Sequence, residues 1–158
     1  MAEKPPPILG NGRLLEYAVV DESVRYSGRS LIFVGFKELG PVPFLAITKD
    51  FKTGEIALLY CDREWDVLAT GGCYESLEQA KESAERTYHG ISSRWIDAKV
   101  TEKEALEYRD AVWADSRCSF CDTIPPDFDM LMARDNARIC SLCIEKFHKI
   151  LEEDRAKK

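Results

Sequence analysis

Long apolar runs are missing from this chain: no stretch approaches the ~20 apolar residues that a membrane-crossing helix needs. The first residues, Met-Ala-Glu-Lys-Pro-Pro-Pro, lack the apolar segment of a secretory signal. A cytoplasmic setting is therefore expected, in which thiols stay reduced. An excess of positive charge is missing too. Lys and Arg number 22 against 28 Asp and Glu, a net charge of −6. Residues 1–115 hold 14 basic and 20 acidic side chains, and residues 116–158 hold 8 of each. Without a basic stripe, a nucleic-acid surface is not expected. Histidine is scarce, with two in the chain, His89 and His148. No GxxxxGK[ST] phosphate loop, dinucleotide glycine pattern, Ser-His-Asp arrangement or catalytic metal motif occurs, so a non-enzymatic role is expected.

What is present in unusual form is cysteine. Cys118-Ser119-Phe120-Cys121 and Cys140-Ser141-Leu142-Cys143 are two CxxC pairs with 18 residues between them. Zinc takes four ligands in a tetrahedron and binds thiolates readily, and this spacing is a recognised zinc pattern. Paired disulfides would need an oxidising compartment. A redox CxxC needs one pair in a thioredoxin-like context, and an iron–sulfur cluster fits this symmetric spacing poorly. With four cysteines the shell is complete and no coordination position stays open, so one structural zinc per chain is expected.

The segment from Arg117 to Glu153 resembles the zinc-binding domain of the ClpX protein unfoldases. The resemblance rests on the CSFC tetrapeptide, the loop length, apolar Phe128, Leu131 and Met132 inside the loop, Ile139 before the second pair, and Ile144, Ile150 and Leu151 after it. Asp122 stands where the family usually has Gly, a position that wants a left-handed turn that Asp can adopt at some cost. Arg134-Asp135 replaces a Gly-Pro turn. The family's ATPase motor has no counterpart here. In that family the module dimerises and binds adaptors and substrates. The resemblance thus implies a homodimer and a protein client, adaptor or protease component as partner, with Phe128, Leu131, Met132, Ile144 and Phe147 as the presented interface.

Ahead of the finger the chain reads as a small α+β domain. Residues 1–12, rich in Pro and Gly, read as a flexible tail. Strands are expected at Leu14–Val20, Ser30–Phe36, Phe44–Thr48, Glu55–Cys61 and Trp65–Ala69, the last before a Gly71-Gly72 turn, and another at Ile91–Ile96. The runs either side of Asp50-Phe51-Lys52-Thr53-Gly54 form a β-hairpin pattern. Several runs are apolar on both faces, as in central strands covered on both sides. Ser76 with Gln79, and Thr101 with Glu104, are capping-box patterns opening two helices. The second carries Ala105, Tyr108 and Val112 on one stripe, with Leu106 and Trp113 beside it. A last helix starts within the second CxxC and runs to about Asp154. The whole is a mostly antiparallel sheet with two helices over residues 13–115, then a treble-clef-like four-cysteine finger over 116–158.

The apolar positions Ile144, Phe147, Ile150 and Leu151 exceed what a finger of about 35 residues can bury alone. They either pack within the chain or mark an interface. Cys61, closing an apolar strand, reads as a core thiol. Asp62, Glu64 and Asp66 read as a solvated edge or as a patch for a basic partner, and Tyr60, Trp65, Tyr74 and Trp95 mainly as core. Two functions follow. One is a zinc-stabilised protein-interaction protein. The alternative is an acidic inhibitor or immunity-type protein acting through its N-terminal domain, with the finger as a cap.

Overall fold

The structure, a computed structural model, describes residues 4–28, 33–34, 36–125 and 127–157. Among the described residues twelve strands and three α-helices follow in order: β1 (Ile8–Leu9), β2 (Gly12–Val19), β3 (Arg25–Tyr26), β4 (Phe33–Val34), β5 (Lys37–Glu38), β6 (Phe44–Asp50), β7 (Ile56–Cys61), β8 (Val67–Tyr74), α1 (Leu77–Thr87), β9 (Tyr88–His89), β10 (Ile96–Asp97), α2 (Glu102–Val112), β11 (Leu131–Arg134), β12 (Ala137–Cys140) and α3 (Ser141–Ala156). Two compact units result, Met1–Leu106 and Glu107–Lys158, dividing within α2. Among the described residues no helix is long and apolar enough to cross a membrane.

The first unit is built on an antiparallel sheet of order β1-β2-β6-β7-β8, with β10 also pairing β2. Its centre shows why those runs lack polar alternation. On β6, Leu45 and Ile47 point into one cluster of buried residues, while Phe44 and Ala46 point into another. On β7, Ile56, Leu58 and Tyr60 join the first, and Leu59 and Cys61 the second. Both faces are covered, so both side-chain sets are apolar. The first face takes α1 through Ala80 and Ala84, each fully buried; small side chains let the helix backbone come close. The second is covered by Leu9, Trp65 and Ala98. Trp65 stacks on Phe44 at 4.3 Å and 16° and meets Tyr17 edge-on at 5.6 Å and 89°.

The expected caps form. Ser76 accepts from the Gln79 amide at 3.2 Å. Thr101 and Glu104 exchange bonds, Thr101 N–H to Glu104 Oε2 at 2.8 Å and Glu104 N–H to Thr101 Oγ1 at 3.2 Å. The β6–β7 hairpin is also present, its turn held by the Asp50 carboxylate, which accepts from the amides of Lys52 and Thr53 at 2.8 and 2.7 Å.

Three expectations are corrected. Residues 8–9 are not a free tail but a strand paired to β2 across the two-residue loop Gly10-Asn11, with Leu9 buried. Gly10, at φ 57°, supplies the conformation such a tight hairpin needs, and the prolines precede the ladder rather than interrupting it. Gly71-Gly72 is not a turn; β8 runs through it, and Val67 rather than Trp65 begins the strand. Gly71 lies at a bulge where a Cβ would sit 2.8 Å from the Tyr60 hydroxyl. Residues 91–93 form a 3₁₀ turn instead of a strand, because the Glu85 carboxylate binds the amides of Gly90 and Ser92 at 2.7 and 2.9 Å. Of the expected strand at Ser30–Phe36, residues 30–32 and 35 lie outside the described residues, and Phe33–Val34 makes an exposed two-residue pairing with β5.

Candidate metal centre

In the second unit, β11 and β12 form a hairpin whose two-residue loop is Asp135-Asn136, with Asp135 at φ 53°. This replaces the glycine-bearing turn expected of the resemblance and achieves the same reversal. The first CxxC turn is fastened to this hairpin. Ser119 N–H donates to Arg138 C=O at 2.8 Å, and Arg138 N–H donates to Ser119 Oγ at 2.9 Å. Asp122 takes the left-handed conformation at φ 57°, which lets its own N–H reach Cys118 C=O at 3.0 Å. The second pair is placed by α3: Cys140 is its N-cap, and Cys143 lies in its first turn.

These elements bring all four sulfurs within 4.8 Å of one another. Cys118 Sγ lies 3.8 Å from Cys143 Sγ, and Cys121 Sγ lies 3.7 Å from Cys140 Sγ. A zinc ion with bonds of ~2.3 Å to four tetrahedral sulfurs sets those sulfurs about 3.8 Å apart, so the cage has the size zinc requires. Disulfides do not: all four thiols are free, and S–S bonding needs about 2.05 Å. Cys118, Cys140 and Cys143 are buried and Cys121 is exposed.

The surroundings favour charge on one pair. Burial opposes ionisation of Cys118, but the amides of Phe120, Cys140 and Cys121 directed at its sulfur outweigh it and bring the thiol down to about 6. The Thr123 hydroxyl and amide lower Cys121. Burial and the neighbouring sulfurs push Cys143 up to about 12, and burial raises Cys140 as well. Two opposed pairs of thiols, crowded together, are what a divalent cation reconciles, since it stabilises all four as thiolates. The four cysteines form the site of one structural zinc, and bound there it supplies folding rigidity, with no ligand position left for chemistry.

Of the residues expected to be presented beside the metal, Phe128 is not: it is 9% exposed and packs with Cys118, Cys140 and Cys143 as the finger's own core. So small a core needs an aromatic ring over the sulfurs more than its surface does. Leu131 packs partly against the same core, Ile144 is half-buried, and Met132 and Phe147 are exposed. Sequence reasoning missed Phe120. It sits between the first two ligands, is 59% exposed, and meets Phe147 edge-on at 5.4 Å and 81°. Its position inside the CxxC turn, where the ring cannot fold under the metal, was the available signal.

The remaining candidates do not join this site. Cys61 is fully buried, and burial with Asp62 and Asp66 nearby pushes it up to about 12, so it is a protonated core thiol. Cys73 is exposed on β8. His89 and His148 lie outside the sulfur cluster. Among the described residues no other group of three or more His, Cys, Asp or Glu side chains gathers closely enough to hold a metal. Tyr60 and Trp65 are core residues.

Comparison with curated proteins and with solved structures returned no match. The family model of the ClpX C4-type zinc finger matches residues 116–153, the stretch that holds all four sulfurs of the cage.

Proposed function

We propose that this protein works by binding other proteins, with the zinc finger as the gripping module and without catalysis of its own. The observation that carries this reading is α3. Of its 16 residues only Cys143 is buried, and that residue is a metal ligand. Ile144, Phe147, Ile150 and Leu151 fall within about 120° of the helix circumference, an apolar stripe of the kind that faces a partner. Phe147, Ile150 and Leu151 are 38%, 47% and 55% exposed, and Phe120 extends the stripe across the first knuckle. A helix whose apolar side is left in water is a surface awaiting cover.

Zinc holds α3 and the β11–β12 hairpin in place, and the stripe then meets a second copy of the chain, a client or an adaptor. A cytoplasmic location fits, since the site needs reduced thiols. Nothing in the comparisons supports the alternative reading as an acidic inhibitor. The test is native mass spectrometry of the full chain with and without a chelator. The expected result is one zinc per chain and a dimer that falls to monomer as zinc leaves. A dimer that persists after complete zinc removal would rule out the finger as its seat.

A further inference from the structure

The sheet of the first unit ends at β8, and among the described residues no strand pairs with its outer edge. Exposed edges are normally guarded by a charge, a proline or shortness. Here eight residues, Val67 to Tyr74, carry no charged side chain and no proline. Two bulges bend the strand, but the rungs Ile56↔Tyr74, Ala57↔Cys73 and Leu58↔Gly72 are regular.

Beside these regular rungs lies a cavity of about 550 Å³, lined by Thr53, Glu55, Cys73, Tyr74, Glu75 and Gln79 among others. Its lining holds two carboxylates and no cation; Lys49 approaches Gly54 without lining it. The other end of the strand is acidic as well. Asp62, Glu64 and Asp66 precede Val67, and the Asp62 carboxylate accepts from the Glu64 and Asp66 amides at 3.0 and 2.8 Å. This charge pattern selects the occupant. A second copy pairing antiparallel along β8 with Val67 opposite Tyr74 sets Asp66 against Glu75, and like charges so placed repel. A basic strand meets carboxylates at both ends instead.

We propose that β8 receives an extended peptide as an added strand, with a lysine or arginine side chain of that peptide seated in the cavity at the Tyr74 end. Main-chain hydrogen bonds to the edge supply affinity, and the Glu55 and Glu75 carboxylates supply the choice of side chain. The site lies in a different unit from the finger and does not depend on the function proposed for it.

The test is selection of a random octapeptide display library on the full chain, followed by fluorescence anisotropy with the recovered peptides. Recovered peptides are expected to share one Lys or Arg. N-methylation of one alternate set of peptide amides should abolish binding, while methylation of the other set leaves it. Glu55→Gln with Glu75→Gln should weaken binding roughly tenfold and remove the basic preference. Failure to recover any peptide overturns the proposal. So does indifference to both methylation sets, or affinity unchanged in the double variant. Peptides without a basic residue that convert a dimer to monomer would assign the edge to a second copy and overturn it as well. The methylated peptides need no protein variant, so the proposal can fail even if the double variant folds poorly.

Discussion

Cys118 and Cys143 bring their Sγ atoms to 3.8 Å although 25 positions separate them in the chain. One sits in a loop turn and the other in the first turn of α3. Among the described residues their buried cluster holds only Cys140 and Phe128 besides, with Leu131 and Ile139 packed partly against the group. So small an apolar cluster falls far short of the entropy lost in ordering the segment around it. The metal therefore supplies the folding free energy of this unit, which for structural zinc amounts to about 10–16 kcal/mol of binding.

Cys118→Ser should abolish zinc binding and melt the finger. Metal analysis is expected to fall from one zinc per chain to near zero. Hydrogen exchange should become fast across β11, β12 and α3 while β6 and β7 stay protected. Retention of stoichiometric zinc by this variant would show that three sulfurs suffice and that the fourth is not a ligand.

Zinc and protons compete for the same sulfur lone pairs, which sets the sign of the pH dependence. Near neutrality Cys118, brought down to about 6, is ionised, and the Thr123 hydroxyl and amide shift Cys121 toward the thiolate, whereas Cys143, at about 12, and the raised Cys140 keep their protons. Zinc uptake near neutral pH should thus release at least two protons, those of Cys140 and Cys143. The binding constant should fall at least about a hundredfold per pH unit lost there, and more steeply once Cys118 takes up its proton below pH ~6. Calorimetry in buffers of differing ionisation enthalpy counts the protons; a count of zero or of four contradicts this division of the thiols.

The metal ligands and the hairpin joining β6 to β7 were legible because their signals are local: a four-cysteine spacing, and a turn flanked by apolar β-formers. Capping at Ser76 and Thr101 was legible for the same reason. What was not legible depends on partners distant in the chain. Gly71 reads as a turn residue until Tyr60 is seen occupying the space of its Cβ. Residues 91–93 look like a strand until the Glu85 carboxylate claims their amides. Phe128 looks like a surface anchor because nothing in its neighbours in sequence says that the sulfurs need a lid. Tyr108, Val112 and Trp113 follow a core-like period on α2 yet are 39%, 54% and 39% exposed, so periodicity alone told of an apolar face and not of its cover.

Phe120 and Phe147 separate the metal from the surface it supports. Their edge-to-face pair contributes about 0.5–1.5 kcal/mol, a small part of what zinc supplies. Phe120→Asp or Phe147→Asp should leave zinc content at one per chain and destabilise the finger only modestly. Self-association or client binding should be lost, because a carboxylate is placed in the apolar stripe. Sedimentation velocity and metal analysis on the same sample report both. If either variant associates like the parent chain, the stripe is not the contact surface.

Trp65 tests whether the first unit stands without the second. Its backbone is left-handed at φ 68°, a conformation that costs a non-glycine residue about 1–2 kcal/mol, and it is held there by Phe44 and Tyr17 around its ring. Trp65→Ala removes that ring from a site only 3% exposed and should cost about 3–5 kcal/mol. Trp65→Gly relieves the backbone but loses the same packing, so it should recover only a fraction of the deficit. In both variants denaturant unfolding of the sheet should move to lower concentration, while zinc release under chelator challenge stays as in the parent chain. The sulfurs are held by β12, α3 and the first knuckle, none of which includes a residue before Glu107, so a weakened sheet with zinc binding intact is the expected result. Loss of zinc in step with the sheet would mean that the two units fold as a single cooperative body and that the finger is not self-sufficient once metallated.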